Sequence, residues 1–462
     1  MSNQTGAPAR AAATAARAGS AFALTLLAVE FLDELAFGTR EAAWPLVRTD
    51  LRLTYTQIGL LMSAPAFISN LLELPLGILG DTHRRRALVL AGGACFAAGL
   101  LLVALGHSFA AMFLALTVLS PAAGAFVGLS QATLMDADPA RREQNMARWA
   151  FAGSLGQVSG SLALALAVSR GFGWRDCFAA LALVALAVTL LARRHYPAAP
   201  TRSPDEREDK DSSGDDDAAE AAEADGDASD DNDTADDKDE ADDNDEAGGG
   251  VEADEEGGAP ARAGGLAAGF AEAWRALRRR EVLRWLALLE LADLTLDGFH
   301  GFIALYFADV VGLADSRAAL TVAVWVGVGL AGDLLVIPLL ERVRGLSYLR
   351  ASAAAVALVF PAFLLAPGVA PKLALLGLLG VLNAGWYSIL KAQLYAALPG
   401  RSGAVMTLNS AAGLLSGLVP GALGLFAEAF GLAAMMWLLL AGPLSLLALI
   451  SRAGKNRRDV LG

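Results

Sequence analysis

Eight ionisable side chains interrupt runs of residues that are otherwise apolar. Glu30, Asp33 and Glu34 fall in the first run, Glu290, Asp293, Asp297 and His300 in the seventh, and Lys391 in the tenth. Separations of three and four residues put each acidic set along one face of a helix. A carboxyl group withdrawn from water and crowded by like charges exchanges its proton nearer neutral pH. A face of such groups can therefore pass protons, or attract a cation that displaces them. Ionisable groups at membrane depth are costly and mark ion or substrate routes. The plainer alternatives are that an acid satisfies a neighbouring helix, that His300 is a hydrogen-bonded structural histidine, and that Lys391 reaches along the helix towards water. Asn383, Trp386, Tyr387 and Asn409 are candidates for the lining of an amphipathic pocket, against the plainer alternative that the aromatic residues only pack.

The elements that must carry these residues are long apolar segments. About 20 apolar residues are needed to cross a hydrocarbon core. Such segments fall near 21–45, 56–80, 87–106, 109–134, 148–169 and 174–193, then near 282–310, 317–340, 347–366, 372–396, 402–427 and 430–451. In lipid each must close its own backbone hydrogen bonds, so helices are expected, with no sign of strand alternation. The expected fold class is an all-α membrane protein of twelve transmembrane helices in two six-helix bundles. The expected divisions are a tail at 1–20, a bundle at 21–193, a linker at 194–281, a second bundle at 282–451 and a tail at 452–462.

Charge is distributed unevenly. Residues 201–260 hold 27 acids and four basic residues, a net of −23, so the chain's −13 leaves +10 on everything else. That stretch cannot bury enough apolar surface to fold and is expected to be a disordered, solvated tether. Arginines cluster on one set of loops (Arg10, Arg17, Arg84 to Arg86, Arg141, Arg142, Arg148, Arg278 to Arg280, Arg342, Arg344, Arg401, Arg452). The opposite loops hold only Arg40, Arg48, Arg52, Arg170, Arg175, Arg317 and Lys372. The inside preference of basic residues then makes both termini and the linker cytoplasmic, in a multi-pass protein of the cell (inner) membrane. Cys95 and Cys177 suggest neither a disulfide nor a metal site, and no cofactor or metal is expected.

The halves repeat at one offset of 260 residues. Glu30, Asp33 and Gly38 match Glu290, Asp293 and Gly298; Glu73, Asp81 and Arg84 match Asp333, Glu341 and Arg344; Pro139, Arg141 and Met146 match Pro399, Arg401 and Met406. A duplicated six-helix unit explains all three blocks.

The loop Gly77-Ile-Leu-Gly-Asp81-Thr-His-Arg84-Arg85-Arg86 resembles the signature between the second and third helices of the major facilitator superfamily. Gly77, Asp81, Arg85 and Arg86 match it, whereas Thr82 and Arg84 depart from it. The resemblance implies a substrate site at the midplane between two bundles, lined by the first and seventh helices. It also implies that Glu73, Gly77, Asp81, Arg84, Arg85, Arg86, Asp333, Glu341 and Arg344 bias a conformational equilibrium rather than touch substrate. The segment beginning Leu53-Thr-Tyr-Thr-Gln-Ile-Gly is similar to the start of the second helix in fosmidomycin-resistance-like exporters. Of the exporter signatures, the fourth-helix arginine is absent from Met112 to Gln131. Gly156 and Gly160 preserve part of the fifth-helix glycine motif.

The resulting expectation is a monomeric secondary transporter, not an enzyme. It works by alternating access in the lipid bilayer, with protons as coupling ion, exporting an amphiphilic or cationic small molecule; no nucleic acid is involved. Divalent metal export and metabolite uptake by symport are alternatives. A non-transporting sensor or hydrolase is more remote, because no nucleophile elbow, His-Glu-x2-His motif or phosphate loop is present.

Overall fold

The structure is a computed structural model that describes residues 6–80, 84–137, 142–196, 275, 278–397, 408 and 412–458. Within them the chain is helical and contains no strand. The N-terminal half comprises α1 (Gly6–Leu51), α2 (Tyr55–Gly80), α3 (Arg85–Leu105), α4 (Phe109–Ala123), α5 (Leu129–Ala137), α6 (Arg142–Ser169) and α7 (Trp174–His195). The C-terminal half comprises α8 (Arg280–Leu305), α9 (Asp315–Leu340), α10 (Gly345–Leu365), α11 (Val369–Asn383), α12 (Trp386–Ala396), α13 (Val419–Phe430), α14 (Leu432–Leu438) and α15 (Ala441–Arg458). The acidic stretch 201–260 lies outside the described residues.

Among the described residues nine helices are long and apolar enough to cross a bilayer. Helices α1 and α8 are not among them, and both carry the acids discussed above. The outward faces are apolar: Leu183, Leu358 and Leu415 are 70%, 76% and 70% exposed. Water would penalise so much bare leucine; lipid does not.

Several boundaries differ from the sequence expectation. α1 begins at Gly6 and continues to Leu51, with Pro45 inside it, so Arg40 and Arg48 belong to a helix rather than to a loop. Hydropathy marks where the apolar run ends, but a helix continues wherever its backbone bonds remain satisfied. α15 likewise extends to Arg458. The tenth segment is not continuous. It breaks between α11 and α12, where Gly385 has φ +74°. Lys372, expected in a loop, lies in the first turn of α11 and is 7% exposed. It is therefore buried, whereas Lys391 is only partly so. The Lys372 Nζ donates to the Tyr306 hydroxyl (2.9 Å) and to the carbonyls of Phe363 and Leu364 (2.8 Å each). All three of its protons are placed, and two of them cap the end of α10.

Packing follows small residues. A Cβ on Gly156 would come within 2.3 Å of the Phe31 carbonyl oxygen, and one on Gly160 within 2.1 Å of that of Leu35. Only glycine permits α6 to lie this close to α1. In the other half Phe299 of α8 stacks edge-on against Trp325, Phe360 and Phe363, with ring centroids 5.1, 5.2 and 5.7 Å away. Those rings hold one face of α8 and leave its acidic face turned elsewhere.

Candidate functional site

The acidic faces of α1 and α8 meet in a set of cavities that share walls. One, about 370 Å3, is lined by Glu30 and Glu34 of α1, Ser154 and Gln157 of α6, and Asp297 and His300 of α8. A second, about 340 Å3, is lined by Glu290, Asp293, Asp297 and His300 opposite Arg40, Glu41 and Asn70. A third, about 350 Å3, contains Asp33 with Arg40, Ser69, Asn70 and Ser120. The largest, about 700 Å3, runs from Gln157, Asp297 and His300 to Trp325, Asp333, Asn383 and Tyr387. Asp297 and His300 border three of these cavities. Phe37 separates the first three and meets the His300 ring edge-on at 5.7 Å.

The expected clustering on α8 is present: Glu290, Asp293, Asp297 and His300 all reach the second cavity. On α1 the single shared face is corrected. Glu30 and Glu34 point towards α6, whereas Asp33 enters the chamber bordered by α2 and α4. At 100° per residue, positions four apart lie 40° from each other, and the residue between them is turned away by a further 60°. Helix neighbours divide that arc into two chambers. Lys391 borders none of the four cavities; its Nζ donates to the Tyr387 hydroxyl at 2.7 Å. It remains close enough to Asp293 to attract that carboxylate.

Arg40, which the sequence reading counted with the loops, and Glu41, which it did not single out, enter the site. The Arg40 guanidinium lies 4.7 Å over the Phe37 ring and 3.1 Å from Glu41. Glu41 is 4% exposed and accepts from the Trp44 indole at 3.1 Å. The signal was present, since both continue the helical spacing of the α1 acids.

The gating assignments divide. Asp81 lies outside the described residues, as does the side chain of Glu73, and Gly77 lies within α2. Arg86 donates to the Arg193 carbonyl at 3.1 Å. Arg84 is exposed and Arg85 half-buried at the start of α3, while Glu341 and Arg344 occupy the exposed turn between α9 and α10. Asp333 instead accepts from the Gly385 backbone at 2.9 Å and secures the break between α11 and α12.

A different contact joins the halves at the arginine-poor end. Arg48 pairs with Asp309 at 3.1 Å, the Tyr55 hydroxyl donates to the same carboxylate at 2.9 Å, and the Tyr55 backbone donates to Glu428 at 2.8 Å. Asp309 sits in a widened π turn, Tyr306–Val310, that follows α8. Below it the Gly421 amide donates to Ser63 at 2.6 Å, and Asn70 donates to the Gly413 carbonyl at 3.0 Å. α2 and α13 touch so closely that a Cβ on Gly424 would stand 2.5 Å from the Tyr55 carbonyl oxygen. These contacts hold that end of the interface together.

Among the described residues no group of three His, Cys, Asp or Glu side chains is arranged to hold a metal ion.

A helical shell with polar cavities between its N- and C-terminal halves is the architecture of a multi-pass membrane transporter. The chain belongs to the Major Facilitator Superfamily, whose profile matches residues 26–421. A probable sugar efflux transporter of Helicobacter pylori (strain G27) is 26% identical over 187 residues, 39% of this chain. The chain spans about half of that relative's length (48%). Among solved structures, a bacterial homolog of the human lysosomal transporter Spinster, in an inward-facing and unoccupied conformation, superposes with a TM-score of 0.70 at 15% identity. That match covers 94% of this chain and 97% of the other. The nucleoside transporter NupG superposes with a TM-score of 0.66 at 12% identity, over 93% and 98% of the two chains. At such identities these likenesses establish the fold.

Proposed function

We propose that this protein is a secondary active transporter that couples proton movement to export of an amphiphilic or cationic small molecule by alternating access. The observation that carries the reading is the convergence of Glu30, Glu34, Glu290, Asp293 and Asp297 on cavities with shared walls between the halves. An acidic cavity concentrates cations, and its carboxyl groups give up protons when a cation takes their place. Phe37, Trp325 and Leu294 supply apolar surface beside the charges, which suits an amphiphile.

In this reading twelve helices span the cytoplasmic (inner) membrane, the arginine-rich side is cytoplasmic, and both termini lie there. The contact among Arg48, Tyr55, Asp309 and Glu428 closes the external end, and the cavity alternates when it breaks. Asp81, Arg84, Arg85, Arg86, Glu341 and Arg344 act at the opposite end. Export of a sugar is the second reading, because the Helicobacter pylori relative is a probable sugar efflux transporter. Divalent metal export has no comparable observation behind it, and uptake by symport would run the same cavity in reverse.

The test is accumulation of tetraphenylphosphonium or a radiolabelled organic amine in liposomes holding the purified protein, driven by an imposed pH gradient. Accumulation that collapses with the gradient, and that Asp297→Asn abolishes while the protein stays folded, supports the reading. Sugar accumulation with no response to cations would transfer the assignment to the second reading.

A further inference from the structure

The largest cavity, about 700 Å3, contains a feature for which the carboxylates give no account. Asn383 borders it and is 5% exposed, yet neither its side-chain nitrogen nor its side-chain oxygen has a hydrogen-bond partner. Leaving a buried carboxamide unpaired is costly, so native structures seldom keep one without a use. The groups packed around the helix break are paired. Tyr348 donates to the Ala384 carbonyl at 3.0 Å, the Trp386 indole donates to Ser352 at 2.7 Å, Ser352 donates to the Leu382 carbonyl, and Asp333 holds the Gly385 amide. These neighbours have partners and the Asn383 carboxamide has none; elsewhere on the wall of the same cavity the His300 Nε2 is also unpaired. Asn383 also ends α11, one residue before the Ala384–Gly385 break, where the backbone leaves the helical ladder. A side chain there can turn outward without disrupting a helix.

We propose that Asn383 recognises a neutral, hydroxyl-bearing part of the cargo, and that one ligand is held at two places. Its amine is held by the carboxylates around Asp297, and its hydroxyl groups by the Asn383 carboxamide. This rests on the cation-binding reading of the cavity. A carboxamide offers two donors and an acceptor, which matches adjacent hydroxyl groups that each donate and accept. Asp297 and Gln157 line both the carboxylate chamber and this one, so a single molecule can extend from one into the other. Trp325 and the 40%-exposed Tyr387 provide faces for the apolar side of a polyol ring or chain. A plain alkylamine would fill the carboxylate chamber and leave the amide unpaired, which is how such a site rejects a ligand lacking hydroxyls.

Three probes separate the parts: N-hexylglucamine, carrying an amine and a polyol, hexylamine, carrying only the amine, and hexyl glucoside, carrying only hydroxyls. Calorimetric titration of the purified full chain is expected to show N-hexylglucamine binding at least about tenfold tighter than hexylamine, with hexyl glucoside weakest. Asn383→Leu is expected to erase the difference between the two amines while melting at the same or a higher temperature, since it removes unpaired groups. A variant that keeps the preference overturns the proposal, as does one that loses it while melting lower, because the amide is then structural. Asp297→Asn is expected to weaken both amines equally. If it changes neither, the cation reading fails by itself, whereas the Asn383 assignment fails on a preference that is absent from the wild type or retained in Asn383→Leu. Failure of either amine to bind the wild type overturns both.

Discussion

Asp297 is the residue on which the cavities converge, because it is the acid that borders three of them together with His300. Replacing it with Asn keeps the shape and removes the charge. Loss of a charge-assisted contact of this kind is worth about 1.5–3 kcal/mol, so cation affinity should fall roughly 10- to 100-fold, read by titration. Asp33→Asn, in a chamber of its own with Arg40, should weaken the same cation less. Equal losses in both variants would undo the distinction between the chambers. Lys372 belongs to a different class. Lys372→Met leaves the Tyr306 hydroxyl and two carbonyls unpaired and should lower stability by about 1–3 kcal/mol, visible as an earlier melt, with the ranking of substrates unchanged. The acids were legible in the sequence because a carboxylate inside an apolar run has few structural excuses. Arg40 and Glu41 were legible in the same way, since they continue the helical spacing of Asp33 and Glu34, but Arg40 was counted with the loop arginines and Glu41 was passed over.

At the scale of elements, glycine spacing was readable and its consequence is now physical. Gly156 and Gly160 let α6 lie against α1, which fixes Glu30 and Glu34 opposite Ser154 and Gln157. Gly160→Val would drive a side chain into the Leu35 carbonyl. Overpacking of this kind costs about 1–3 kcal/mol or more, so a lower melting temperature and impaired cation binding are expected together. A melt equal to wild type would show that the helices can separate freely. The break between α11 and α12 left less trace, because Gly385 is one glycine among 48 in the chain. What makes it a break is Asp333 on another helix, a long-range contact that local pattern does not encode. The 260-residue repeat singled out Asp333 but named no partner for it, and its contact with the Gly385 amide came only from the fold.

For the whole molecule, the fold was legible because lipid leaves few choices. Long apolar segments must be helices, and a duplicated unit implies paired halves. The conformational state was not legible, since it depends on contacts between residues far apart in sequence. Arg48 and Asp309 are partly exposed, at 29% and 24% of their side chains, so the ion pair alone is worth at most about 1 kcal/mol. One kcal/mol is still roughly a fivefold shift in a two-state equilibrium. Asp309→Asn should therefore favour opening at the arginine-poor end. A cysteine at Met62, which lines the second cavity, should then react several-fold faster with an impermeant maleimide added from that side. Unchanged labelling would mean that the packing of α2 on α13 holds the end shut without the ion pair.

The most direct test of the central claim follows protons themselves. Liposomes containing the purified protein and a pH-sensitive dye would receive an outward gradient of an organic amine, with no pH gradient imposed, beside Asp297→Asn and Glu30→Gln. Exchange through the carboxylate cavity predicts a change in internal pH that scales with the amine gradient and is lost in Asp297→Asn. Amine movement at the wild-type rate with no pH response, or an undiminished response in both variants, would contradict it.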